Sequence, residues 1–263
     1  MFWWLMKFVV LGPFLRLTFR PRAEGLEHIP ADGPALLVAN HLSFLDDLLL
    51  PLVIPGRKVV FLGKAEYFEK WYLRWFYRGA NVIPVRRGGG SASEAALRAG
   101  IEALRGGKLV GIFPEGTRSP DGRLYRGKTG VARMVLEARV PVIPVGIVGT
   151  FESLPYDRRV PRPGRVTLRF GQPLTFARFH DAPTDRFALR SVTDEIMYEI
   201  MSLSGQEYVD EYATRVKAQI ERGEREPGGP SPEAAGGPVI ALDDPRADAE
   251  SPARRDRPEG PIS

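Results

Sequence analysis

Short apolar runs alternate with amphipathic stretches through most of the chain. Ala35-Leu36-Leu37-Val38-Ala39 contains no polar position, the mark of a strand buried on both faces. Lys58–Leu62, Asn81–Val85, Leu109–Phe113 and Pro141–Val148 read likewise, and Arg165–Phe170 alternates as a further strand. Helical stretches lie between them. Leu48–Leu52 follows the first strand. Glu66–Arg78 combines an aromatic side (Phe68, Trp71, Tyr72, Trp75, Phe76) with a cationic stripe at Lys70, Arg74 and Arg78. Ser91-x-x-Glu94 opens a helix with Leu97, Ile101 and Leu104 on one face, and Gly106-Gly107 stops it. Arg126–Glu137, Thr184–Leu203 and Gln206–Arg222 complete the helical set. Strands alternating with helices predict an α/β domain.

The two ends of the chain break this pattern. Met1–Phe19 is aromatic and apolar, Lys7 and Arg16 interrupt it, and Gly12-Pro13 predicts a kink. A spanning helix needs about 20 apolar residues, and this stretch is shorter, charged and bent. It also lacks the leading charge and small-residue cleavage site of a signal peptide. It reads as an interfacial anchor, with Trp3 and Trp4 at headgroup depth and Arg16, Arg20 and Arg22 against anionic lipid. A terminal helix capping the core is the alternative. All four tryptophans fall here or in Glu66–Arg78, which suggests two patches of one membrane-facing surface, although aromatic stripes more often belong to a core. From Gly223 the chain holds eight Pro and six Gly with few large apolar groups, which predicts disorder. The expected organisation is a membrane-associating segment over 1–22, an α/β domain over 23–222 and a disordered acidic tail over 223–263.

Charge sharpens the picture. The net charge is +5, but the tail carries five Arg against nine acidic residues, leaving 32 basic and 23 acidic side chains in residues 1–222. So basic a body calls for an anionic partner: phosphate, a lipid surface or nucleic acid. Its cations cluster at strand ends and on one tryptophan-rich helix, with no recognition-helix or RNA-binding signature, which argues against nucleic acid. The absence of cysteine excludes disulfides, thiolate metal sites and a cysteine nucleophile, and suits a cytosol-facing protein. Three scattered histidines argue against zinc, so no metal is expected.

The chemistry centres on Asn40-His41-Leu42-Ser43-Phe44-Leu45-Asp46, between the first strand and its helix. Five residues along one regular helix turn through ~500°, so His41 and Asp46 meet only if the histidine lies outside the helix. Ser43-x-x-Asp46 has the form of a capping box that would place it there, and a first-turn aspartate points back toward the preceding loop. A carboxylate held against an imidazole fixes its tautomer and supports the imidazolium, as a general base requires. A satisfied loop histidine beside an ordinary cap is the plainer reading. Phe113-Pro114-Glu115-Gly116-Thr117-Arg118-Ser119 is a strand-end loop of the kind that carries function in open α/β sheets. His28 reads as a surface loop residue, and Lys128 as a phosphate contact or a helix cap.

With these residues identified, the chain resembles the glycerolipid acyltransferase superfamily, and within it the bacterial 1-acyl-glycerol-3-phosphate acyltransferases. Asn40-His41-(x4)-Asp46 looks like their first block, Ile83-Pro84-Val85-Arg86-Arg87 the second, Phe113–Ser119 the third, and Val140–Val145 the fourth. The resemblance runs from about Gly25 to Leu174. Arg86 departs from the pattern, because an acidic residue usually precedes the arginine of the second block. The resemblance implies an α/β fold with a single mixed, largely parallel central sheet flanked by helices. It implies a membrane-associated site on the cytoplasmic face, and acyl-CoA or acyl-carrier protein as donor substrate, with no permanently bound cofactor. It also supports Lys64 and Arg118 as phosphate ligands, with Glu115 in the same acceptor site. The expected catalytic pair is His41 and Asp46, and the expected substrate-binding set is Lys64, Arg87, Glu115, Gly116, Thr117 and Arg118. A local ion pair of Glu115 with Arg118 or Arg87 is the alternative for that carboxylate. The expected acceptor is lysophosphatidic acid, against three rivals: another lysophospholipid or glycerol 3-phosphate, a hydrolase, and a non-catalytic anionic-lipid-binding module. Oligomeric state is left undefined.

Overall fold

A computed structural model of the chain describes residues 9, 11–64, 82–85, 89–181 and 183–230. The expected Glu66–Arg78 helix, Trp3, Trp4, Arg86, Arg87 and most of the acidic tail lie outside the described residues.

The apolar run at 35–39 forms β2 (Ala35–Ala39), and none of its five residues is accessible to solvent. It pairs in parallel with β5 (Leu109–Ile112) on one side and β7 (Val142–Val148) on the other. β3 (Val59–Lys64) and β4 (Val82–Val85) extend the sheet beyond β5, also in parallel. The short helix α5 (Thr150–Ser153) follows β7. On the far side β8 (Thr167–Phe170) runs antiparallel to β7, and β1 (Arg22–Glu24) runs parallel to β8. The order is β1-β8-β7-β2-β5-β3-β4, the mixed and largely parallel sheet expected. Because β2, β3, β4, β5 and β7 are parallel, their C-terminal ends share one edge, where ligands sit in open sheets of this kind.

Period-two alternation along β2 divides the core. Leu36 and Val38 face a cluster shared with α3 (Gly89–Arg105), α4 (Gly130–Ala138) and α6 (Arg186–Ser204). Ala35, Leu37 and Ala39 face one shared with α1 (Leu11–Phe19) and α2 (Phe44–Val53). Leu36 and Leu37 are both fully buried, each stabilising the fold by about 1.5–3 kcal/mol. Helix α6 lies so close to β7 that a Cβ on Gly146 would sit 2.6 Å from the Leu203 carbonyl carbon.

Several boundaries differ from the sequence pattern. Helix α3 begins at Gly89 rather than at a Ser91 cap, and Glu94 instead holds Arg133. Gln206–Arg222 is not one helix. Gly205, at φ 71, caps α6, and β9 (Tyr208–Val209) then pairs in parallel with β6 (Leu124–Tyr125) before α7 (Ala213–Glu221) begins. The ladder takes residues that helical period alone would have assigned to α7. Pro13 falls in the first turn of α1, where its missing N–H costs little. Helix α1 buries Leu15 and Phe19 in the core while Phe14 and Leu17 are 58% and 78% exposed. One face of this helix therefore packs on the core and the other meets solvent. Chain described past Arg222 is packed as well: Arg225 is buried against Glu211 at 2.9 Å.

Candidate active site

The loop leaving β2 is anchored before it reaches His41. The Asn40 amide group donates to the Ile147 carbonyl (2.8 Å) and accepts from the Ile147 N–H (2.7 Å), clamping the strand end to β7. Ser43 then caps α2. Its extended backbone (φ −148, ψ 160) stands outside the helix, and its hydroxyl accepts from Leu45 N–H while donating to the Leu154 carbonyl. The Asp46 carboxylate completes the capping box by accepting from Ser43 N–H at 2.7 Å. The same oxygen, Oδ2, accepts from Leu42 N–H at 2.7 Å and lies 3.0 Å from Nδ1 of His41. Because an ionised carboxylate can only accept, Nδ1 carries the proton in this contact. Nε2 is left as the ring's basic nitrogen. Among the described residues His41 is the ion-pair partner of Asp46, which is itself fully buried. The imidazole stacks on Phe113 with centroids 4.0 Å apart and planes 12° from parallel, which fixes its plane.

The 113–119 loop grips the backbone of His41 from the other side. Glu115 Oε1 accepts from His41 N–H (2.9 Å), Glu115 Oε2 accepts from Tyr125 N–H (3.2 Å), and Ser119 N–H donates to the His41 carbonyl (2.7 Å). No ion pair joins Glu115 to Arg118 among the described residues, and Arg87, the other partner considered, lies outside them. Glu115 is fully buried and works as a strut between two loops. Burial pushes its carboxyl up to about 8, against the pull of the two N–H donors and of Lys217.

That shift sets a pH dependence. The ordinary carboxyl value is 4.5, so between pH 4.5 and about 8 the folded chain holds a proton that the unfolded chain has lost. Stability falls as pH rises through this window. Lys217 acts oppositely: burial first, then the charge of Arg118, lowers it from 10.5 to about 8. The folded chain then binds fewer protons above pH 8, and stability recovers toward pH 10.5. Thermal melts should show a minimum near pH 8, and Glu115→Gln should flatten the acidic limb. Parallel melting curves for variant and wild type across that limb would refute it.

Gly116 occupies the left-handed region at φ 72, and a Cβ there would lie 2.9 Å from Lys128 Nζ. The Lys128 chain crosses this glycine, and its N–H donates to the Pro114 carbonyl. Thr129, not Lys128, is the N-cap of α4. Thr117 and Arg118 lead to two residues that the sequence pattern did not single out. The Arg118 guanidinium carbon lies 5.1 Å from the centroid of the Tyr156 ring, and Lys217 Nζ lies 3.6 Å from the same ring. Lys217, only 9% exposed, donates to the Thr117 hydroxyl at 2.9 Å. The β6–β9 ladder and the packing of Ala213 and Val216 on Tyr125 deliver α7 to this point. The sequence signal was a lysine on the apolar face marked by Ala213, Val216 and Ile220.

Lys64 closes β3 in register with Val85, on the same sheet edge as His41 and the 113–119 loop. The structure thus gathers His41, Asp46, Glu115, Gly116, Thr117 and Arg118 into one site and puts the backbone of Lys64 on its rim. Arg87, two positions past Val85, lies outside the described residues. No metal-binding cluster of His, Asp or Glu occurs among the described residues.

Comparison with known proteins accords with this geometry. The family model described as Acyltransferase matches residues 20–148. The crystal structure of PlsC, a 1-acyl-sn-glycerophosphate acyltransferase from Thermotoga maritima, superposes with a TM-score of 0.57 at 32% identity, covering 70% of this chain and 71% of that one. The chain belongs to the 1-acylglycerol-3-phosphate acyltransferase family. Among curated members of the 1-acylglycerol-3-phosphate acyltransferase family, the Bacillus subtilis protein is 27% identical over 178 residues, 67% of this chain and 84% of that protein. The chloroplastic LPAT1 of Arabidopsis thaliana is 35% identical over 148 residues, 56% of this chain. That match spans only 40% of the plant protein's length.

Proposed function

We propose that the protein transfers a fatty acyl group from a thioester donor, acyl-CoA or acyl-carrier protein, to the 2-hydroxyl of 1-acyl-glycerol 3-phosphate, giving phosphatidic acid. The observation that carries this reading is the 3.0 Å contact between Nδ1 of His41 and Oδ2 of Asp46 beside the 113–119 loop that bears Arg118. In this mechanism Nε2 of His41 takes the proton of the acceptor hydroxyl as its oxygen attacks the thioester carbonyl. Asp46 holds the ring's tautomer and supports the positive charge the ring acquires. The tetrahedral intermediate collapses with cleavage of the C–S bond, and His41 returns the proton to the departing thiol. No acyl-enzyme is needed: Ser43 is already engaged as a cap and as a donor to Leu154. Arg118 grips the acceptor's phosphate through its planar fork, with Lys64 and Arg87 as the further phosphate ligands of this reading.

The test is a purified assay pairing lysophosphatidic acid, a choline lysophospholipid or glycerol 3-phosphate with labelled acyl-CoA and acyl-carrier protein. Phosphatidic acid formation is the expected product. Equal or faster turnover of another acceptor would move the assignment to it, and free fatty acid released without acceptor would indicate a hydrolase.

The site works at the cytoplasmic face of the cell membrane in this reading, with an anionic lipid surface as partner. No described helix is long and apolar enough to cross a membrane. The exposed loop after Tyr156 carries Arg158, Arg159, Arg162 and Arg165, none in an ion pair among the described residues. Gly164 N–H and Val166 N–H tie this loop to the Thr18 and Phe19 carbonyls at the end of α1. Cations beside an anionic bilayer contribute about 1 kcal/mol each. Changing all four arginines to Gln should weaken pelleting with phosphatidylglycerol vesicles by at least roughly tenfold, and 1 M salt should do the same to wild type. Unchanged pelleting would count against this face.

A further inference from the structure

Lys217 lies outside the matched segment 20–148, yet its ammonium ends in the 113–119 loop. It shares the face of Tyr156 with Arg118, and among the described residues neither cation has a carboxylate at ion-pair distance. Other cations nearby are neutralised: Arg123 by Asp121 at 2.7 Å, and Arg225 by Glu211 at 2.9 Å. Two like charges over one ring, one of them nearly buried, repel each other unless an anion joins them. The aromatic face offsets only part of that repulsion. Donors are available: the ammonium has three, of which Thr117 takes one, and the Arg118 fork makes no hydrogen bond to a protein acceptor among the described residues.

We propose that Lys217 is a ligand for the phosphomonoester of the acyl acceptor, closing on it together with Arg118 above the Tyr156 ring and selecting phosphomonoester headgroups. This rests on the acceptor reading given above. The acceptor's phosphate, rather than those of coenzyme A, is assigned by position. Glu115 and Ser119, flanking Thr117 and Arg118, both bond the backbone of His41, so the cluster is rigidly tied to the reacting centre. In 1-acyl-glycerol 3-phosphate the phosphate sits on the carbon next to the reacting one. In acyl-CoA the phosphates are a pantetheine arm away from the thioester. The depressed Lys217 ammonium agrees with a charge awaiting its counter-ion.

The test compares wild type with Lys217→Met, which keeps the aliphatic stem, and Lys217→Arg, both as the full chain with melting temperatures recorded. Losing one charge-assisted hydrogen bond should raise the KM for lysophosphatidic acid by roughly 10–100-fold. The KM for acyl-CoA and the kcat should stay within about threefold. Preference for lysophosphatidic acid over neutral monoacylglycerol should shrink by the same factor, and Lys217→Arg should restore most of it. If Lys217→Met does not fold, Thr117→Val, which frees the ammonium, should still raise the acceptor KM by about 3–10-fold. An unchanged acceptor KM in the folded variant overturns the assignment. So does a rise confined to acyl-CoA, which would put coenzyme phosphate here, or an equal loss with monoacylglycerol, which would make Lys217 structural. Failure of wild type itself to acylate lysophosphatidic acid would instead remove the acceptor reading.

Discussion

Replacing His41 by alanine is expected to lower kcat by about 10²–10⁴-fold, the usual contribution of a positioned general base. The KM for lysophosphatidic acid should move by no more than about threefold. The prediction separates chemistry from binding because the backbone of His41, not its ring, is what the 113–119 loop holds. Its N–H donates to Glu115 and its carbonyl accepts from Ser119, and alanine keeps both bonds. The ring is 14% exposed and its main packing partner is the face of Phe113, so truncation leaves the acceptor loop in place. Steady-state kinetics with acceptor and donor varied separately would decide. A variant that turned over at the wild-type rate would falsify His41 as the base, and a variant failing only in acceptor KM would recast it as a binding residue.

Asp46→Asn is expected to give a similar loss of kcat, with a fall in thermal stability that His41→Ala does not share. Three N–H donors, from His41, Leu42 and Ser43, converge on one buried oxygen. An asparagine can present its oxygen to all three, which keeps the loop but removes the charge opposite the ring. Presenting its NH₂ instead sets donor against donor. The first geometry costs turnover, and the second also leaves buried N–H groups unpaired at about 1–3 kcal/mol each. A lowered kcat at unchanged acceptor KM, with a lower melting temperature, is the expected pattern. Wild-type turnover with Asn at this position would mean that the ring needs orientation but no counter-charge.

The parts of this site that could be read in the sequence are those fixed by local geometry. A serine cap with an acid three residues on forces one arrangement of chain, so the 40–46 loop followed from a few residues of spacing. Apolar runs identified the five parallel strands, most fully β2, where burial on both faces leaves no room for polar positions. Parallel pairing then places the C-terminal ends of these five on one edge. What local spacing could not convey was long-range. Strands of two or three residues, β1, β6 and β9, have no period to detect, and they exist because a partner elsewhere offers its N–H and C=O groups. Glu115 looked like half of an ion pair because an arginine stands three positions away. Only the fold reveals that two N–H groups, from residues 41 and 125, reach its oxygens first. Tyr156 and Lys217 come together through packing across the chain, and neither neighbourhood advertises the other.

The two-residue ladder between β6 and β9 has a consequence for evolution and for biosynthesis. It makes the ammonium beside the 113–119 loop depend on a helix near the end of the fold, while His41 and Asp46 stand five residues apart near its start. A change in α7 would alter the surroundings of Thr117 and Tyr156 without touching the His41–Asp46 contact. During synthesis His41 and Asp46 leave the ribosome long before Lys217, and the ladder that seats α7 forms only once residues 208–209 have emerged.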